Sequence, residues 1–255
     1  MSLRYPIILV HGVILKDVKF FKAFGKIEKI LSSNGYIVYT ANTDGLGSIE
    51  NNANQLKSFI LKVLKENNCD KVNLIAHSKG GLDSKYMISK LDMANHIASL
   101  TTLSTPHKGS FIATRLLDFP KWLIKLLAWW LNFSYKLYKD ENPDALTVCR
   151  QLKRVDKLDE DYGVFSGIYC QSYSSSMSTR DDFIMGIPYT VQKHYYHIPN
   201  DGMVDVESAK FSIYKGDIKH ISHSEIVDFM TTRKKRRRVH EFYLKLVSDL
   251  EYLGF

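Results

Sequence analysis

Short apolar runs alternate along this chain with longer stretches in which apolar residues recur every three or four positions. Tyr5 to Val10 reads as a strand, and Phe20, Phe21, Phe24, Ile27, Ile30 and Leu31 lie in helical phase. Tyr36 to Thr40 reads as a second strand. A polar loop, Asn42 to Ser48, leads to a helix carrying Leu56, Phe59, Ile60, Val63 and Leu64, and then to the apolar strand Val72 to Ala76. A helix resumes after Ser78 with Leu82, Tyr86 and Leu91 in phase, and the strand Leu100 to Leu103 follows. Val164 to Tyr173 and Tyr195 to Ile198 are predicted as later strands. The helix Val239 to Leu253, with Phe242, Leu246, Val247 and Leu250 on one face, closes the chain. Short strands rich in Val and Ile that alternate with helices predict an α/β fold, with a mostly parallel central sheet and helices on both faces.

One segment breaks the alternation. FPKWLIKLLAWWLNFSYKLY, Phe119 to Tyr138, holds all three tryptophans and is bounded by Pro120 and the polar stretch Lys139 to Asp144. A helix apolar around so much of its circumference must be buried or must cover something apolar. Its place after the strand ending near Ser104 predicts a helical cap or lid insertion at about residues 111–150 of a single domain spanning 1–255. Trp122, Leu126, Trp129 and Trp130 are the expected lid residues, placed to cover an apolar pocket, with Lys121, Lys125 and Lys136 beside them suited to an interface that is apolar below and anionic above.

With 255 residues and 45% apolar content the chain is long enough for one well-buried domain. Cys69, Cys149 and Cys170 lie far apart with no CxxC spacing and leave one unpaired in any disulfide scheme, so all three are expected as free thiols. MSLRYP lacks a charged stretch leading into an apolar run, so no signal peptide is predicted. The expected location is cytoplasmic or peripheral to a membrane, or secreted if an export sequence precedes this one. A net charge of +8 admits nucleic acid, anionic lipid or acidic ligands as partners. The basic run Arg233-Lys234-Lys235-Arg236-Arg237-Arg238 is read as a solvated loop before the closing helix, with anionic lipid heads as the functional alternative and no nucleic-acid role.

The chemistry enters at VNLIAHSKGGLDSKY. Ser78 stands between a buried-type strand and a helix, with Ala76 two residues before it and Gly80 two after, which is a G-x-S-x-G nucleophile elbow with alanine at the first small position. So tight a turn brings the strand and helix backbones almost into contact, and only small side chains fit at both flanks. It also places a hydroxyl at a helix N-terminus, where backbone N–H groups meet a developing oxyanion. The expected donors are the N–H of Lys79 and the N–H of Val13, in the loop where IILVHGVI leaves the first strand; His11 shapes that loop.

A supporting acid and a base must then follow in the order Ser, Asp or Glu, His, each after a late strand. Pro199-Asn200-Asp201-Gly202 offers Asp201, with Asp205 as competitor inside Met203 to Val206. Lys219-His220-Ile221-Ser222-His223 offers two imidazoles, of which His223, immediately before a helix-like run, is preferred to His220. His77, His107, His194, His197 and His240 are assigned to structure or surface.

YPIILVHG, VNLIAHSKGGLDSKYMIS, SLTTLSTPHKGS, IPNDGMVDVESAK and SHSEIVDF together resemble the bacterial true lipases, the triacylglycerol lipase branch of the α/β-hydrolase superfamily. The resemblance covers most of the chain outside the tryptophan-rich segment. It implies the α/β-hydrolase fold, a triad of Ser78, Asp201 and His223, and oxyanion donors at Val13 and Lys79. Many such lipases hold a structural calcium by a carboxylate two residues after the catalytic histidine, here Glu225; no second ligand is placed, so a structural calcium stays possible but unclaimed, and no cofactor is expected.

The function expected is therefore a serine hydrolase of lipid carboxylic esters, a lipase or esterase working through an acyl-enzyme. Phospholipase A or acyltransferase activity on the same triad is the alternative within enzymes. A non-catalytic lipid-binding protein on a hydrolase scaffold is the alternative outside them.

Overall fold

A computed structural model describes residues 3–13, 17, 22–155, 162–180 and 182–255. The strands are β1 (Ile7–Val10), β2 (Val38–Ala41), β3 (Val72–His77), β4 (Ile97–Leu103), β5 (Tyr169–Ser176) and β6 (Ile213–Lys219). They form one six-stranded sheet in the order β2-β1-β3-β4-β5-β6, and every neighbouring pair is parallel. Because side chains alternate across a strand, β1 sends Ile8 and Val10 to one face and Ile7 and Leu9 to the other. On the first face Leu74, Ala76 and Leu100 join them beneath α2 (Ile49–Glu66) and α3 (Lys79–Lys90), which contribute Leu56, Ile60, Met87 and Ile88. On the second, Ile75 and Leu103 pack against Ile27 and Leu31 of α1 (Ile27–Ser33) and against Tyr243, Leu246 and Leu250 of α8 (Arg233–Tyr252). Each fully buried aliphatic side chain here is worth about 1.5–3 kcal/mol.

Three helices lie between β4 and β5: α4 (Phe111–Leu116), α5 (Lys121–Leu137) and α6 (Ala145–Gln151). Seventeen residues without Gly or Pro make α5 an uninterrupted helix after Pro120, and Ala128 is its one buried residue. Its far end is clasped to the loop after β2. Asp140 accepts from the N–H groups of Gly45 and Leu46 at 3.1 and 2.8 Å. In return Asp44 accepts from those of Glu141 and Asn142, both at 2.8 Å. No helix among the described residues is long and apolar enough to cross a membrane, and all three cysteines are free thiols.

Four expectations need correction or qualification. Tyr195 to Ile198 is no strand: α7 (Gly186–Tyr196) ends there, because a four-residue apolar run carries no periodicity that separates a strand from a helix end. The last strand is instead Ile213–Lys219, an edge strand whose sequence IYKGDIK is half-solvated and lacks the Val/Ile signature. The basic run is no loop, because Arg233 to Arg238 form the opening turns of α8. Phe20 and Phe21 of the first helical pattern lie outside the described residues, and the helix itself begins at Ile27.

β1 lies between β2, which follows it in the chain, and β3, so the strand order reverses at the β1/β3 boundary. In an open α/β sheet the crevice beyond the carboxyl ends of the strands at such a reversal is where ligands bind. Two loops lead out of β1 and β3 at that crevice: His11 to Val13, and the turn at Ser78.

Candidate active site

Ser78 adopts φ 55°, ψ −131°, a positive φ that L residues avoid, and it does so between the fully buried β3 and the first turn of α3. The surroundings explain why small residues flank it. A Cβ on Gly80 would stand 2.5 Å from the carbonyl oxygen of His11, and one on Gly12 would stand 2.7 Å from Cβ of Ser78 and 2.9 Å from the backbone nitrogen of Lys79. The β1 loop is thus pressed against the elbow, which brings the Val13 backbone beside the N-terminus of α3, whose first N–H groups have no partner within the helix.

The side chain of Lys79 is turned inward and fully buried, its ammonium on Asp83 at 2.7 and 3.0 Å. Burial pushes the Asp83 carboxyl up to about 6 even though Lys79 and Asn52 favour its charged form. This i, i+4 pair anchors the residue whose N–H is the expected oxyanion donor.

The late loops converge on the same point. His223 Nε2 lies 2.9 Å from Ser78 Oγ, and His223 Nδ1 lies 2.8 Å from Oδ2 of Asp201. Asp201 is fully buried, and its Oδ1 accepts from the N–H groups of Met203 and Val204 at 3.0 and 2.8 Å. Ser175 at the end of β5 donates to Oδ2 at 3.2 Å, and the His223 N–H donates to the Asp201 carbonyl at 2.9 Å. The two competitors are engaged elsewhere. Asp205 pairs with Arg154 and caps the N–H of Ser208, while His220 Nδ1 is 2.7 Å from Ser178 Oγ.

His77, assigned to structure from the sequence, packs its ring 4.5 Å from that of His223, centroid to centroid. Burial, and then the neighbouring His223, push its pKa well below the ordinary histidine value, so it stays neutral beside the His223 imidazole. A cavity of about 280 Å³ opens over Ser78, walled by Val13, Tyr135, Ile184, Met185, Val227 and Phe229 among others. Of α5 only Tyr135 is among the described residues lining it. Trp122, Trp129 and Trp130 are 69%, 65% and 56% exposed, and with Leu126 they face solvent rather than the cavity.

Several interactions that shape the site were missed in the sequence. Ser222 and Glu225 form a reciprocal capping box around His223: the Ser222 N–H donates to the Glu225 carboxylate at 3.0 Å, and the Glu225 N–H donates to Ser222 Oγ at 3.2 Å. The S-x-x-E spacing is a readable sign of this. The same Glu225 carboxylate holds the Lys235 ammonium at 2.9 Å. The donor set at Glu225 therefore does not fit calcium, because the charge of its carboxylate is met by a lysine of the chain. Asp182, whose Oδ2 accepts from the hydroxyls of Ser222 and Ser224, has no sequence signature at all.

A family model described as palmitoyl protein thioesterase matches residues 6–162. Triacylglycerol lipase 2 of Saccharomyces cerevisiae is 29% identical over 258 residues, covering 90% of this chain and 73% of its own length. A triacylglycerol lipase of Pseudarthrobacter phenanthrenivorans is 40% identical over 122 residues, 45% of this chain and 37% of that protein, so the match spans little more than a third of the bacterial relative. Among solved structures, the lipase BlEst2 of Bacillus licheniformis superimposes with a TM-score of 0.70 over 95% of this chain and 91% of its own at 18% identity, a likeness of fold.

Proposed function

The chain belongs to the palmitoyl protein thioesterase family, and from that premise we propose that it is a carboxylic ester hydrolase acting on lipid acyl esters, with Ser78 as nucleophile, His223 as base and Asp201 as orienting acid. The observation that carries this reading is the unbroken line from Ser78 Oγ to His223 Nε2 at 2.9 Å and from His223 Nδ1 to Asp201 Oδ2 at 2.8 Å. It joins Ser78 to two loops that lie more than a hundred residues further along the sequence.

Each step follows from that line. Asp201, locked by two backbone N–H groups, fixes His223 with Nδ1 protonated, which leaves the Nε2 lone pair facing the serine hydroxyl. As Ser78 Oγ attacks the ester carbonyl, Nε2 takes its proton, and the buried carboxylate stabilises the imidazolium. The carbonyl oxygen becomes an oxyanion beside the N–H groups of Lys79 and Val13, each such donor being worth about 3 kcal/mol. The imidazolium then protonates the departing alkoxide; a water deprotonated by the same nitrogen attacks the acyl carbon, and that proton passes to Ser78 Oγ as its bond to the acyl group breaks. The cavity walls Ile184, Met185, Val227 and Phe229 offer an acyl chain apolar contact.

The insertion is the lipid-facing part of this reading. Nothing on α5 is acidic, while Lys121, Lys125 and Lys136 stand among its exposed tryptophans, a pairing that suits an apolar interface with anionic head groups. Triacylglycerols, as in the names of the relatives, and acyl thioesters, as in the name of the family, are the two substrate groups to compare.

The test is fluorophosphonate labelling with hydrolysis of p-nitrophenyl butyrate. The wild-type chain should be labelled, and Ser78→Ala should abolish labelling and lower the rate by at least about 10³-fold. A wild-type chain that stays unlabelled, or a Ser78→Ala chain that labels as well, would sink the assignment. Product analysis on triolein and on a palmitoyl thioester then fixes the leaving group.

A further inference from the structure

His223 sits between two serines whose hydroxyls converge on one carboxylate outside the triad. Oδ2 of Asp182 accepts from Ser222 Oγ and, at 2.7 Å, from Ser224 Oγ. Its Oδ1 accepts from the backbone N–H groups of Ile184 and Met185, both at 2.7 Å. Burial would push this carboxyl up, but the four hydrogen bonds outweigh it and hold its pKa below the ordinary aspartate value. Asp182 is thus ionised at neutral pH, and its charge-assisted bonds are among the stronger kinds.

The two ends of this bridge differ in kind. On one side are the residues either side of the imidazole. On the other are Ile184 and Met185, two walls of the cavity over Ser78. Met185 also packs so closely on the turn after Asp201 that a Cβ on Gly202 would come within 2.7 Å of the Met185 Cβ. One carboxylate therefore connects the wall an acyl chain would press against with the loop that holds the base. Asp182 makes no contact with Ser78 or with His223's ring among the hydrogen bonds of the described residues, so any effect on the reaction passes through the loop.

We propose that Asp182 is a positioning residue that holds His223 in line with Ser78 through the hydroxyls of Ser222 and Ser224 and couples that alignment to the acyl-facing wall at Ile184 and Met185. The proposal rests on the triad reading above. Misplacing a reacting group by about 1 Å can cost on the order of 100-fold in rate, so a loop loosened by a fraction of that should show in kcat.

The experiment is steady-state hydrolysis of p-nitrophenyl butyrate by Asp182→Ala, Asp182→Asn, Ser224→Ala and the Asp182→Ala/Ser224→Ala pair. Asp182→Ala should lower kcat by about 10- to 100-fold with KM within about twofold. Asp182→Asn, which keeps an oxygen for the backbone N–H groups and an amide for the hydroxyls, should recover part of that loss. Ser224→Ala should lower kcat in the wild-type background and add no further loss to Asp182→Ala, because the two act through one contact. An unchanged kcat, a loss confined to KM, or a Ser224→Ala effect of equal size in both backgrounds would overturn the proposal. If Asp182→Ala does not fold, Ser224→Ala alone decides: kcat should fall with KM held, and an unaltered kcat overturns it. Fluorophosphonate separates this from failure of the underlying reading. An unlabelled wild-type chain defeats the triad, whereas a labelled wild type with Asp182→Ala labelled at the same rate defeats the role of Asp182 alone.

Discussion

His107 shows how an ordinary sequence position becomes a constrained one. Its Nδ1 lies 3.3 Å from the Lys85 ammonium and its Nε2 3.2 Å from Thr102 Oγ1, so the ring is neutral, accepting from lysine and donating to threonine. Burial and then the Lys85 charge push its pKa well below 6.5, and His77 is displaced the same way. Once unfolded, both histidines would titrate near their ordinary value. The unfolded chain therefore binds more protons below about pH 6.5, and stability falls as pH drops, by up to about 1.4 kcal/mol per unit for each group. Asp83, raised to about 6, acts in the opposite sense between its unfolded pKa and 6. We therefore expect the melting temperature to fall between pH 7 and pH 5 more steeply in wild type than in His107→Gln. Parallel curves would show that His107 is not the source.

The opening turns of α8 carry six consecutive cations, which the helix dipole disfavours at an N-terminus. The fold answers this with carboxylates from the turn that follows His223. Glu225 takes Lys235 at 2.9 Å, and Asp228, with φ 59°, takes Arg236 Nε at 2.7 Å, His240 Nε2 at 3.0 Å and the Lys26 N–H at 3.1 Å. The basic run is thus partly an internal clamp, with Lys235 supplying the positive charge beside Glu225. Lys235→Gln should lower the melting temperature and kcat together by leaving a buried carboxylate unpaired, while a calcium chelator should change neither in the wild-type chain. A chelator-sensitive wild type, with Lys235→Gln indifferent, would show that a metal performs this task.

At the scale of the whole molecule, the exposed apolar surface of the described residues is concentrated on the insertion and around the start of α7. Besides the tryptophans, Phe133, Leu137, Phe183 and Ile187 are all more than half exposed. On the lipid-facing reading proposed above, a patch of this kind, lacking acidic residues on α5, suits an anionic lipid surface better than a second positively charged copy. Activity on a long-chain ester should rise sharply when the substrate passes from monomers to micelles, and should rise further on vesicles containing phosphatidylglycerol than on pure phosphatidylcholine. Trp129→Ala should blunt both rises while leaving butyrate hydrolysis intact. Equal specific activity across the micellar transition would remove the lipid-facing role of the insertion.

Local chemistry decided much of this protein. Ser78 set between Ala76 and Gly80, with an apolar run before it and a helical period behind it, marked the tight strand-to-helix turn, and short Val/Ile-rich runs alternating with stretches of period 3.6 marked the layered architecture, because both signals depend on residues within a few positions of each other. The same locality explains what was misread: a four-residue run at Tyr195 and a half-solvated edge strand at Ile213 lack enough period to choose a state. Folding brought His223 within hydrogen-bond reach of both Ser78 and Asp201, the residues that their place in the sequence had already favoured over His220 and Asp205, since such reach is a matter of which loop ends meet across the sheet. It also brought Asp182 to Ser222 and Ser224 and Lys235 to Glu225, pairings between distant segments that no local rule encodes.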